Sequence, residues 1–276
     1  MIKIENLFYQ YDGCDSPALN DINVEIKEGE YIALIGPNGC GKSTLIRQMN
    51  ALLRPGRGIV TVNGLNTGIE AHHREIRRIV GMLFQNPDNQ IVGMTVEEDI
   101  AFGPGNLNLP PPEIRRQVDE ILKSLGLKSL ALRAPHTLSG GEKRLVSLAG
   151  ILIMHPRYIA FDEPTAFLDP VSRLRVLQTM KSLHGKGIGI IHITHDVYDM
   201  IDANRLLVMD KGKIIMDGSP REILLKMAEN HEAFISLPPI MELLFNLKKR
   251  GWPLPPDIIS IEEAAEKIHC LLTEKA

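Results

Sequence analysis

The chain has 276 residues, 44% hydrophobic and 24% charged, which suits one sizeable domain with an appendage and excludes disordered and fibrous classes. A net charge of −3 and a pI near 6.3 argue against a nucleic-acid partner, which calls for a basic surface. Cys14, Cys40 and Cys270 are scattered and odd in number, so neither a disulfide framework nor a paired metal site follows, and a reducing cytosolic compartment fits.

In chain order, the opening "MIKIENLFYQYDG" lacks the basic–apolar–small order of a signal peptide. Ile2, Ile4, Val24 and Ile26 alternate with polar neighbours, as half-buried strands do. Tyr31 to Ile35 reads as a buried strand that runs into a glycine-rich loop. A helix is expected from about Lys42 to Leu53, stopped by Pro55-Gly56. Ile59 to Val62 with the Asn63-Gly64 turn, and then Val80 to Phe84, read as further strands. From Gln85 to Met154 the pattern changes to turns and helices. One helix runs from Thr95 to Phe102 behind a threonine cap, one from Glu113 to Leu125 closed by Gly126, and a third from Leu145 to Met154. Buried strands return at Tyr158 to Phe161 and Ile188 to Thr194, with a helix through Leu174 to Leu183 between them. Leu206 to Met209 and Ile214 to Met216 read as a hairpin.

An α/β core interrupted by a helical insert is the expected architecture. After Gly218-Ser219-Pro220 short helices follow, punctuated by Pro238-Pro239 and Pro255-Pro256. Ile240, Leu243, Leu244 and Leu247 share one helical face, as do Ile261, Ala264, Ala265 and Ile268. No apolar run reaches the roughly 18 residues that a membrane-crossing helix needs. A membrane role is therefore expected to come through a partner.

Three stretches carry chemistry. "GPNGCGKST", Gly36 to Thr44, follows a strand and precedes a helix, as a phosphate-binding P-loop does. Its members Gly36, Asn38, Gly39, Cys40 and Gly41 bring backbone N–H groups toward one anion, and the helix start adds positive dipole. Lys42 can reach the β- and γ-phosphates, the Ser43 hydroxyl can ligate Mg²⁺, and Thr44 closes the motif. The second stretch, Tyr158 to Glu163, is an apolar strand ending in two acids. Asp162 is placed to hold Mg²⁺ and Glu163 to polarise an attacking water. Few carboxylates suffice, because Mg²⁺ keeps several of its waters. In the third, "LSGGEKR", Leu138 to Arg144, a serine and two glycines open a helix. That makes a second anion-binding helix start, although simple capping has the same appearance.

Taken together in this order, these stretches resemble the nucleotide-binding subunit of ABC transporters over nearly all of residues 1 to 220. The resemblance implies an α/β P-loop NTPase (RecA-like) core with an antiparallel β portion. It implies an inserted helical subdomain at about 86–154 and a helical extension, for dimerisation, at 221–276. "LSGGEKR" is similar to the family signature, with Glu142 where Gln is common. By the same resemblance Gln85 is the glutamine-loop residue at the Mg²⁺/γ-phosphate region, facing the membrane partner. "FLDP", Phe167 to Pro170, is the D-loop, with Asp169 as its acid and Phe167 in place of a small residue. His195 is the switch histidine on the γ-phosphate. Tyr11 is the preferred aromatic for stacking on adenine, with Tyr9 as the alternative.

"FQNPDNQIVGMTVEEDIAFGP", Phe84 to Pro104, together with the C-terminal extension, narrows the resemblance to the ATPases of energy-coupling-factor and cobalt or nickel importers. Implied are a head-to-tail dimer, homomeric or heteromeric, and ATP on one chain's P-loop capped by Ser139, Gly140 and Gly141 of the other. Integral-membrane transporter subunits are the expected partners, at the cytoplasmic face of the membrane. The solute, whether cobalt, nickel or a vitamin, is not written in the chain. A soluble ABC ATPase of DNA repair or translation is the alternative. It would be expected to carry long coiled coils, zinc modules or a second cassette, and none is present between Gln85 and Leu138. A small P-loop kinase would leave "LSGGEKR" and His195 without a purpose. His72 and His73, adjacent and pointing apart on a helix, are expected to be a solvated face rather than a chelate. His192 and His195 would fall on opposite faces of a continuing strand.

Overall fold

Two sheets and the helices between and around them build the molecule, which is described here by a computed structural model covering residues 1–230, 238–255 and 258–273. β1 (Ile2–Tyr9), β2 (Leu19–Ile26), β4 (Arg57–Val62) and β5 (Leu65–Asn66) form an antiparallel sheet in the order β2-β1-β4-β5. The second sheet contains β3 (Tyr31–Ile35), β6 (Val80–Leu83), β7 (Tyr158–Asp162), β8 (Gly189–Ile193), β9 (Arg205–Asp210) and β10 (Lys213–Gly218). Its order is β10-β9-β3-β8-β7-β6, parallel except for the β9–β10 hairpin.

β3, β7 and β8 are buried along their whole length, as strands covered on both faces must be. Their side chains sort with a period of two. Ile32 and Leu34 of β3, Tyr158 and Ala160 of β7, and Ile191 and Ile193 of β8 face the antiparallel sheet and α1 (Lys42–Met49). Tyr31, Ala33, Ile35, Ile159, Phe161 and Ile190 point the other way, against α6 (Pro170–Gly185), α7 (Val197–Met200) and α8 (Pro220–Asn230). Each such fully buried large aliphatic or aromatic side chain contributes about 1.5–3 kcal/mol. This two-sided core fixes the carboxyl ends of the parallel strands, where ligands of α/β sheets bind.

The helical insert consists of α3 (Val96–Asn106), α4 (Pro111–Ser124) and α5 (Gly140–Leu152) around a separate cluster that includes Val96, Ile100, Val118, Leu122, Leu145 and Ala149. α3 opens on the expected threonine cap, a capping box of Thr95 and Glu98. It runs beyond Phe102 to Asn106 because Pro104, near its end, removes only the bond back to Ile100. α1 is shorter than expected. It stops at Met49 instead of Leu53, because Ala51 adopts a left-handed φ of 55° and the amides of Leu52 and Leu53 fold back onto the Arg47 carbonyl.

α2 (His73–Ile79) corrects another expectation. His72 and His73 are half-buried rather than solvated. His72 Nδ1 bonds the backbone of Asn66, and His73 Nε2 lies 2.8 Å from the Thr67 carbonyl, so both rings pin the preceding loop. Beyond α8, α9 (Pro239–Lys249) and α10 (Ile261–Thr273) pack through Ile240, Leu244, Leu247, Ala264 and Ile268 around Leu254 and Ile258. Leu243 and Ile261, expected on those faces, are 47% and 56% exposed, and Ala265 is exposed too. The parts of the expected extension at 231–237, 256–257 and 274–276, among them Pro256, lie outside the described residues. Among the described residues no helix is long and apolar enough to cross a membrane.

Candidate functional site

At the carboxyl ends of β3, β7 and β8 a cleft of about 730 Å³ brings together residues from five separate stretches of the chain. β3 delivers the glycine-rich loop. Gly36 has φ 146°, and an added Cβ would stand 2.1 Å from the Met209 carbonyl oxygen, so only glycine allows β3 to turn here beside β9. Asn38, Gly39, Gly41, Lys42, Ser43 and Thr44 line the cleft. Lys42 is 6% exposed, and its Nζ donates to the carbonyls of Gly36 at 2.8 Å and Pro37 at 2.9 Å, so the ammonium is held at the centre of the loop.

Ser43 and Asp162, 119 residues apart in sequence, meet where α1 begins and β7 ends. The Ser43 hydroxyl donates to Asp162 Oδ1 at 2.9 Å. Burial pushes the Asp162 carboxyl above its usual range, opposed by that hydrogen bond and by the charge of Arg47. Glu163, the next residue, has a left-handed φ of 48°, which turns its side chain out of the strand direction and into the cleft. Its Oε2 accepts from Gln85 Nε2 at 2.7 Å, and its Oε1 lies 2.9 Å from His195 Nε2. One carboxylate is thus gripped by two side chains at the ends of β6 and β8. β8 stops at Ile193, so His195 leaves the sheet for the cleft while His192 stays fully buried. Burial holds the His192 imidazole neutral, with its pKa down to about 3, and its Nδ1 faces the Tyr31 hydroxyl.

The two tyrosine rings meet edge to face, 4.9 Å between centroids, but they face different surroundings. β1 ends at Tyr9, whose ring packs against the core. Tyr11 lies past the strand end, lines the cleft and meets Thr44 Oγ1 through its hydroxyl at 3.2 Å. The loop of Ser16, Pro17 and Ala18 lines the same wall. No sequence signal singled it out beyond its nearness to Tyr11.

Cys40 behaves differently from its neighbours. Its side chain is 5% exposed, packs in the core rather than lining the cleft, and has its thiol pKa raised by burial. Gly36 is likewise buried under the loop. The reason is close packing: a Cβ on Gly36 would touch Cys40 Sγ at 2.9 Å. Expected as a cofactor contact through the loop backbone, Cys40 turns its side chain inward as a core plug.

The third expected stretch is not in this cleft. Ser139 caps α5 by accepting from the Glu142 amide at 3.3 Å, while Glu142 Oε2 accepts from the Ser139 amide at 2.8 Å. Hydrogen bonds from the Ser139 amide and then the Ser139 hydroxyl hold the Glu142 carboxyl below its usual range. Ser139 is therefore a cap whose hydroxyl hydrogen lies on the Glu142 carboxylate, and it would have to turn from that carboxylate to donate to an anion. Gly140 borders a second cleft, shared with Gln85, Lys143, Arg144 and Phe167. Gly141 packs so tightly on the start of α6 that a Cβ would meet Ser172 Oγ at 2.5 Å. Asp169 caps α6, with its Oδ1 accepting from the amides of Val171 and Ser172 at 3.0 Å each. Phe167, between the clefts, is 99% exposed at φ 62°.

A family model described as "ABC transporter" matches residues 19–166. The chain is 51% identical over 268 residues to the cobalt import ATP-binding protein CbiO of Syntrophus aciditrophicus (strain SB), with 97% of this chain and 96% of that protein covered. It is 46% identical to the energy-coupling factor transporter ATP-binding protein EcfA1 of Clostridium novyi (strain NT), with 95% of each covered. Among solved structures, cbiO1 of Clostridium perfringens, described as part of the ABC transporter complex cbiONQ, superposes with a TM-score of 0.73 at 35% identity, covering 83% of this chain and 94% of that one.

Proposed function

The chain belongs to the ABC transporter ATP-binding family, as a transport-coupled ATPase of the energy-coupling-factor and cobalt-import group, and from that premise we propose that it hydrolyses ATP between two copies of the cassette to drive integral-membrane subunits of an importer. The observation that carries this reading is the separation of the two anion-ready helix starts. α1 opens on the phosphate cleft, and the Ser139–Gly141 start of α5 lies outside its lining. One chain cannot close both on a single triphosphate, but a second cassette placed head to tail can supply the missing Ser139, Gly140 and Gly141. The second chain is the same or a related one, and the extension from 221 to 276 helps hold the pair.

In this reading Lys42 and the loop amides bind the β- and γ-phosphates, Thr44 supports the loop, and Tyr11 stacks on adenine. Glu163 takes a proton from the attacking water while Gln85 and His195 fix its two oxygens, and His195 reaches the γ-phosphate. Asp169 shapes the seam between the chains. The pairing of Ser43 Oγ with Asp162 Oδ1 is a hard-oxygen donor set with one carboxylate, which suits Mg²⁺, with Gln85 as an outer ligand. When bound, Mg²⁺ neutralises charge on the β- and γ-oxygens.

The cassette sits on the cytoplasmic face of the membrane as a peripheral subunit. Cobalt is the solute favoured by the CbiO relative, while the EcfA1 relative points to an energy-coupling factor transporter without naming a solute. Affinity capture of the tagged chain from detergent-solubilised membranes tests the reading. Recovery of hydrophobic integral-membrane subunits in fixed ratio is expected. Recovery of ribosomes or nucleic acid in their place would assign the chain to the soluble ATPases.

A further inference from the structure

Arg144 is the one arginine among the buried polar and charged side chains of the described residues, at 3% exposure. Among those residues no carboxylate lies within ion-pair distance of it, and its Nε has no hydrogen-bond partner. Taking a guanidinium out of water without an ion pair is costly, and on the same helix Leu145 and Val146 fill neighbouring buried positions with apolar side chains. A methionine or leucine would satisfy the packing there. What it could not do is what Nη1 does, which is donate to the carbonyls of both Phe84 and Gln85 at 2.6 Å each.

Those carbonyls belong to the segment that leaves β6 and becomes the glutamine loop. One residue before Arg144, Lys143 reaches the same loop further on, with Nζ 2.6 Å from Asp88 Oδ1. α5 therefore grips the loop at two points, one buried and one near the surface. The path continues on both sides. Gln85 Nε2 holds Glu163 Oε2, and toward its N-terminus the same helix starts at Ser139. A hydrogen-bonded chain runs from α5 through Arg144, the Gln85 backbone and the Gln85 side chain to the Glu163 carboxylate.

We propose that Arg144 is a positioning residue that makes α5 and the glutamine loop one rigid unit, so that nucleotide held by Ser139–Gly141 in the partner's site sets Gln85 and Glu163 in this chain's own site. The two composite sites are then coupled through a buried guanidinium. This rests on the head-to-tail reading given above. A space-filling role alone would leave the two sites independent.

The test compares the full-length parent with Arg144→Lys and Arg144→Met in steady-state hydrolysis against ATP concentration, together with fluorescent-nucleotide titration at protein concentrations too low for pairing. The parent is expected to hydrolyse with a rate per chain that rises with protein concentration and with a Hill coefficient well above 1. Arg144→Met is expected to lower kcat by about 10- to 100-fold, as a slightly misplaced catalytic group does, and to bring the Hill coefficient to about 1. Its single-chain nucleotide affinity should stay within about twofold of the parent's, because the phosphate loop is untouched. Arg144→Lys keeps a charge and a single donor centre and should recover part of both losses.

A folded Arg144→Met with parental kcat and Hill coefficient overturns the proposal. If the methionine variant does not fold, the lysine variant decides by the same two readouts. A parent whose rate per chain rises with concentration but whose Hill coefficient is 1 also overturns it, leaving composite sites that act independently. A parent whose rate per chain does not depend on concentration overturns instead the head-to-tail reading.

Discussion

Glu163→Gln is the substitution that separates binding from chemistry with least disturbance to the fold. It replaces one oxygen by NH₂ and leaves size and backbone unchanged, and glutamine tolerates the φ of 48° no worse than glutamate. Of the two bonds at this carboxylate, one from Gln85 at 2.7 Å and one with His195 at 2.9 Å, the amide oxygen keeps one as acceptor. The amide nitrogen keeps the other if His195 presents its Nε2 lone pair, a tautomer change the imidazole allows. The folding cost is then at most about one hydrogen bond, ~1 kcal/mol.

The catalytic cost is larger. An amide has no useful basicity, so the factor of about 10²–10⁴ that a general base supplies is lost, equivalent to ~3–5 kcal/mol in the barrier. Lys42, Ser43 and the loop amides are unaltered, so ATP affinity should stay within about twofold. ATP that binds and is not consumed shifts the equilibrium toward the paired form by mass action. Phosphate release and sedimentation velocity, each with ATP and with ADP, check both halves. Turnover within about fivefold of the parent would refute the assignment of Glu163 as base, given the minimum of about 10² expected from proton transfer.

Three further substitutions test the geometry. Gly36→Ala forces a Cβ to within 2.1 Å of the Met209 carbonyl oxygen and must part β3 from β9. A loss of about 3–4 kcal/mol, or roughly 6–12 °C in thermal midpoint, is expected, and a midpoint close to the parent's would remove the clash argument. Asp162→Asn should stabilise the fold at neutral pH while hydrolysis falls. Burial raises the Asp162 pKa, so the folded chain binds this proton more readily than the unfolded one. The stability it confers is present below the unfolded carboxyl's range and lost as pH rises through the folded pKa. Calorimetry should find the variant ahead by about 1 kcal/mol near pH 8, with the gap closing below about pH 4. An equal gap at both pH values would refute burial as its cause. Phe167→Gly relieves a left-handed phenylalanine that is 99% exposed. A urea midpoint higher by up to about 1 kcal/mol in stability is expected, and a lower one would mean that the ring packs more than its exposure indicates.

What could be read from the chain beforehand follows the physical range of each interaction. The phosphate loop and the Asp162-Glu163 strand end are contiguous, so their residue types carry their geometry with them. The alternation of β3, β7 and β8 between two faces follows from runs of apolar residues too short for helices. Arg144 was out of reach because its partners lie 59 and 60 residues away, and nothing beside it distinguishes a buried arginine from an exposed one. The inward turn of Cys40 depends on the missing side chain at Gly36, and the choice of Tyr11 over Tyr9 on where β1 stops pairing. The bonds of His72 and His73 to loop carbonyls, and the end of α1 at Met49 rather than Leu53, were equally hidden. At α1 the left-handed turn at Ala51 overrode the helical pattern, and at His72 and His73 the loop partners that bury the rings lie six residues back.

The order of the parallel sheet distributes freedom of movement unequally. β3, β7 and β8, which lead into the phosphate loop, the two acids and His195, each have a hydrogen-bonded neighbour on both sides. β6, which leads to Gln85, is the last strand of its sheet and is laddered to β7 alone. Shifting an interior strand breaks two rows of bonds, and shifting a rim strand breaks one. The groups proposed to hold the triphosphate are therefore clamped like the fixed jaw of a vice. The arm that reaches outward from them hangs from the part of the sheet that yields first, so a push arriving there from outside can change the chemistry without loosening the grip on the nucleotide.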